Sequence, residues 1–198
     1  MIPAPALTLR IAREIDLVLA FLPWLPRPGV TLDATPGATP NLYYRWNERE
    51  QAPYLVVPPA WDSDDAALRR LVRHECGHLW ADALGRRRGG SYDVYPDLGI
   101  DGTHPQRHEI AAEILARVMG EGVSYPELEP LSRPTPERIA FVTRSGELPD
   151  RLAEAIEVDR AIAAFWERTD IPQFFRDYMP NWQRYLDLYI LAPLRTKR

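Results

Sequence analysis

A chain of 198 residues has room for one sizeable hydrophobic core or two small ones, and its 45% hydrophobic and 26% charged residues exclude a low-complexity or disordered chain. A formal net charge of −4, with no helix-turn-helix or zinc-ribbon pattern, argues against a nucleic-acid partner. The single cysteine, Cys76, excludes an internal disulfide.

Residues 6–22 place Leu7, Ile11, Ile15, Val18, Leu19 and Leu22 on one stripe of a helix, which predicts core packing. Arg10, Arg13, Glu14 and Asp16 interrupt this stretch, so it is expected to act neither as a secretory signal nor as a membrane span. The expected location is therefore the cytoplasm, without a membrane partner. Pro23, Pro26, Pro28 and Gly29 end the helix, and residues 33–41 form a loop. Two short strands follow, Leu42 to Trp46 and Tyr54 to Val57, joined as a hairpin by a polar turn. Pro53 and Pro58 predict that the second strand is short or lies at a sheet edge. An edge strand beside an active site can bind an extended substrate by strand addition.

Residues 64–84 form the next predicted helix. Ser63, Asp64 and Asp65 suit its start, and Leu68, Leu71, Val72, Cys76, Leu79 and Ala83 supply a buried side. Gly85 predicts its stop, ahead of Arg86, Arg87 and Arg88, which read as a solvated face. This helix carries His74-Glu75-Cys76-Gly77-His78. Histidines four apart share one helix face and can grip one metal ion, most often zinc. Glu75 projects about 100° further round, where it can reach water held by the metal as a general base. Cys76 points away from both histidines and reads as a small buried residue.

After a loop over residues 85–102, Thr103-His104-Pro105-Gln106 has the layout of a capping box that opens a second helix, running to Gly120. A catalytic zinc site takes three protein ligands. Glu109 is the expected third, on a helix that returns antiparallel to the first, with Glu113 one turn later. Glu113, His104 and His108 remain alternatives. Asp82, four residues after His78, is a candidate to hold the far nitrogen of that histidine. Tyr92, Tyr95, His104 and His108 are candidates to stabilise an oxyanion.

Residues 120–136 carry four prolines and read as a connection. Helices are predicted over 136–143, 150–166 and 181–191. The expected organisation is a domain over 1–135 and a C-terminal helical extension over 136–198 packed on the same core. Its aromatic side chains Phe174, Phe175, Tyr178, Trp182, Tyr185 and Tyr189 suit burial.

His74-Glu75-x-x-His78 followed by Glu109-x-x-Ala112-Glu113 resembles the gluzincin branch of zinc metallopeptidases. In size and layout the chain is similar to the small cytosolic ImmA/IrrE-like peptidases, and the resemblance covers roughly residues 42–119. It implies an α+β, mostly helical fold. A zincin-like core would combine a small β-sheet or hairpin, an active-site helix, a third-ligand helix and C-terminal helices. It also implies Zn2+ held by His74, His78 and Glu109, with Glu75 activating a zinc-bound water to hydrolyse peptide bonds in a protein or peptide substrate. The family places Asp or Asn where this chain has Glu113. A metzincin arrangement fails, because its third histidine would fall at Leu84. The alternative to an enzyme is a non-enzymatic module of the same fold that binds another protein.

Overall fold

The computed structural model describes residues 2–33, 42–58, 60–61, 65–87, 95–103, 107–121, 171–185 and 187–188. The described chain is α+β, with a small mixed sheet under a larger set of helices. The elements are β1 (Ile2–Pro3), α1 (Ala4–Leu19), β2 (Gly29–Leu32), β3 (Tyr43–Asn47), β4 (Ala52–Val57), β5 (Ala60–Trp61), α2 (Asp65–Arg87), α3 (Tyr95–Leu98), α4 (Arg107–Glu121), α5 (Ile171–Tyr178) and α6 (Trp182–Tyr185).

The stripe of α1 does what its spacing predicts. Leu7, Ile11, Ile15 and Val18 are buried, each contributing about 1.5–3 kcal/mol of transfer free energy. Below α1, the three-stranded sheet has the order β2-β4-β3, with β2 parallel and β3 antiparallel to β4. The β2 strand has no signature in the sequence: starting at Gly29 straight after Pro23, Pro26 and Pro28, it carries no alternation.

The β4 strand departs from expectation. It is six residues long and central rather than at an edge. Pro53 is tolerated because it stands opposite Trp46, one residue before the register with β2 begins at Tyr54. Its missing N–H therefore leaves no gap in the ladder with β2. The hairpin turn into β4 contains Gln51 at a φ of 51°, and the Asn47 side chain accepts hydrogen bonds from the Arg49 and Glu50 N–H groups. A two-residue ladder, β1 with β5, ties the start of the chain to the segment that leads into α2.

Helix α2 runs past the predicted stop at Gly85 to Arg87. Its last turn is held by an i,i+4 ion pair, Arg86 Nε to Asp82 Oδ2 at 3.0 Å, with the Arg86 guanidinium 3.5 Å above the Trp46 ring. Arg86 therefore belongs to the helix rather than to the loop, and its side chain stays exposed, as a solvated face requires.

At the C-terminal end, α5 and α6 belong to the same buried cluster as α1, α2 and α4. Phe175 stacks on Trp182 with centroids 4.1 Å apart, Tyr185 meets Phe21 edge-on at 5.2 Å, and the Tyr185 hydroxyl donates to the Met119 carbonyl. Tyr178 reaches Asp97 at 2.8 Å. The predicted helices over 136–143 and 150–166, and the proposed boundary between 135 and 136, lie outside the described residues. Helix α5 was not expected from the sequence, and the predicted helix over 181–191 is described as α6 at its start. No described helix is long and apolar enough to cross a membrane.

Candidate metal centre

The position of the site is set by a backbone contact. A Cβ built on Gly77 would stand 2.3 Å from the Ala116 Cα and 2.6 Å from the Leu115 carbonyl oxygen. Only glycine allows α2 and α4 to come this close. Gly120 continues the seam, its Cβ position lying 3.1 Å from the Arg70 carbonyl oxygen and 3.2 Å from the His74 Cβ. As numbers fall along α4 they rise along α2, so the two helices are antiparallel, as the spacing predicts. Glu113 is thereby delivered beside His78.

Around this seam, His74 and His78 stand with ring centroids 4.9 Å apart. The Glu113 Oε1 lies 3.6 Å from the His78 Nε2. One ligand atom from each of His74, His78 and Glu113 falls within 4.8 Å of the other two. Arg117, one turn beyond Glu113, places its Nε 3.7 Å from the other carboxylate oxygen, Oε2.

The donor chemistry suits a divalent metal. Burial and then the His78 ring push His74 down to about 4; Glu113 opposes them, and Arg117 and Arg70 add smaller downward pushes. Burial likewise lowers His78. Both imidazoles are therefore neutral at pH 7, the form that binds metal. Two neutral imidazoles and a carboxylate at this spacing are a donor set that fits a divalent metal ion.

Glu75 is buried next to this group without belonging to it. Its Oε2 accepts a hydrogen bond from the Tyr44 backbone N–H at 2.7 Å. Burial raises its carboxyl to about 7, the Tyr44 N–H opposes this, and the nearby charge of Glu113 adds to it. A carboxyl poised near neutrality suits a general base. The contact also bears on strand addition: the outward-facing Tyr44 N–H of edge strand β3 is already taken by Glu75.

The Glu109 backbone lies in α4, but its side chain is not among those described, and His104 and Tyr92 lie outside the described residues. His108 is exposed and pairs through Nδ1 with the Tyr95 hydroxyl, away from the group of three. Asp82 does not hold the far nitrogen of His78. Its Oδ2 accepts instead from the Tyr44 hydroxyl at 2.7 Å and from Arg86, because β3 lies across that face of α2. Cys76 is buried, and burial pushes its thiol up to about 12, which makes it an inert core residue.

Three further residues shape the site or its scaffold, Arg117, Arg73 and Tyr44. Arg117 could have been found, since Glu113 and Arg117 form an i,i+4 pair of opposite charge. Arg73 could not: its ion pair with Glu14, at 3.2 Å and largely buried, joins α2 to α1 across a long stretch of sequence. Nor could Tyr44, whose role depends on a main-chain N–H.

Comparison with protein-family models, curated proteins and solved structures finds no match to this chain.

Proposed function

We propose that this chain is a zinc-dependent peptidase of zincin type, with His74, His78 and Glu113 as metal ligands and Glu75 as the general base. The observation that carries the reading is the convergence of two neutral imidazoles and a carboxylate beside a buried glutamate that is not itself one of the three. A site that only braced the fold would have no use for that fourth residue. Glu109 is the ligand that sequence spacing favours, and Glu113 is the one supported by geometry.

Zinc, when bound, supplies Lewis acidity towards a carbonyl oxygen and brings the pKa of water towards about 7. Glu75 then takes a proton from the attacking water on the oxygen not held by Tyr44, and passes it to the departing nitrogen. The Tyr44 N–H holds the carboxylate in one orientation throughout. Arg117 sits against Glu113 Oε2, which leaves Oε1 on the side of His78.

Elemental mass spectrometry of untagged protein tests the reading. About one zinc per chain is expected, lost on Glu113→Ala and retained in Glu109→Ala. The reverse pattern would move the third ligand to Glu109. Glu75→Gln should keep its zinc and lose hydrolysis of a peptide library. No zinc after supplementation, or hydrolysis undiminished by Glu75→Gln, would overturn the peptidase reading.

A further inference from the structure

A cavity of about 230 Å³ lies between the C-terminal half of α2, strand β3 and the segment after α1. Its apolar walls are Trp24, Pro26, Trp46, Leu79 and Ala83, and Asp82 and Arg86 line it as well. These two are paired with each other, and Arg86 also rests on the Trp46 ring, so the cavity presents no unbalanced charge. An apolar cavity of about 150 Å³ already accepts benzene, so this one has room for a large aromatic side chain.

The walls are built on the same two elements, α2 and β3, that carry the candidate metal centre and its Tyr44 contact. Leu79 follows His78 directly, and Asp82 stands one helical turn beyond it, about 5.4 Å along the axis. On the other side, Trp46 is two residues after Tyr44 on the same face of β3, about 7 Å further on. Tyr44 joins the two ends, its N–H on Glu75 and its hydroxyl on Asp82. Successive residues of an extended peptide advance about 3.3 Å. A side chain belonging to a residue within two positions of a bond held at Glu75 and His78 therefore spans the distance to the cavity.

We infer that this cavity is a specificity subsite that accepts a large neutral side chain, aromatic by preference, from a peptide substrate. Trp46 and Ala83 would set what fits. The inference rests on the peptidase reading for its biological meaning, while its chemistry is tested without hydrolysis.

The test is saturation-transfer NMR with N-acetyl-phenylalaninamide and N-acetyl-glutamate amide as probes, on the zinc-supplemented full chain. The phenylalanine amide should receive saturation and the glutamate amide should not. Ala83→Phe, which fills the cavity, should abolish the signal. Trp46→Ala, which removes a wall and does not depend on Ala83→Phe folding, should weaken binding by about tenfold. Absence of binding by the wild-type chain, equal binding of both amides, or binding untouched in both variants would overturn the inference. A chain that binds the phenylalanine amide in this pattern yet hydrolyses no peptide would support the cavity assignment and sink the peptidase reading.

Discussion

Glu75→Gln in metal-free, chelator-treated protein gives a test of the site that needs no substrate. The Glu75 carboxyl is raised from 4.5 to about 7, first by burial. A carboxyl raised in the folded state leaves stability untouched below 4.5 and costs stability as pH rises from 4.5 to about 7, the range in which the unfolded chain has released a proton that the folded chain retains; above that the cost is constant. At about 1.4 kcal/mol per pH unit, the full cost above pH 8 is about 3 kcal/mol. Local rearrangement and water entry reduce this, so the expected gain from Glu75→Gln at pH 8 is about 1–3 kcal/mol. Glutamine keeps an oxygen that can accept the Tyr44 N–H. Urea unfolding at pH 8 and pH 5 measures the difference, most of which should be gone at pH 5. Equal midpoints at pH 8, or a gain of the same size at both pH values, would refute the assignment of Glu75 as a desolvated carboxyl.

Other perturbations address the scaffold. Gly77→Ala gains about 1 kcal/mol of helix propensity but forces a Cβ into the α4 backbone. A net loss of about 1–3 kcal/mol by thermal melting is expected, with zinc affinity reduced about tenfold or more in competition with a chromophoric chelator. Arg73→Met strands the largely buried Glu14 carboxylate and should cost about 3–5 kcal/mol, most of it recovered when Glu14→Leu is added. Tyr185→Phe removes the hydrogen bond to the Met119 carbonyl and should lower stability in urea by about 1–2 kcal/mol without changing zinc content.

The legible and the illegible parts of this protein differ in physical kind. The stripe of α1 and the His74-Glu75-x-x-His78 pattern of α2 are properties of one helix, and a 3.6-residue period announces both. The antiparallel return of α4 is legible only through the expectation of a third metal ligand on the next helix. Which glutamate reaches the histidines depends on how closely α2 and α4 approach, and the approach rests on Gly77 against Ala116, a contact with no periodic signature. The central place of β4 was hidden for a similar reason. Proline in a strand warns of a broken ladder, and whether the ladder breaks depends on where a neighbouring strand begins. The binding of the Glu75 carboxylate by a strand N–H leaves no mark on residue identity.

The contact of Gly77 with Ala116 joins main chain to main chain, with no side chain to yield between them. The three candidate ligands therefore ride on one stiff pair of helices, while the Glu75 carboxylate also answers to a separate layer through its bond to β3. A small slide of the sheet would re-aim Glu75 and leave the histidines and Glu113 where they are. In the proposed peptidase, grip on the ion and readiness to react would be mechanically separable. Substitutions in the hairpin can alter one while sparing the other.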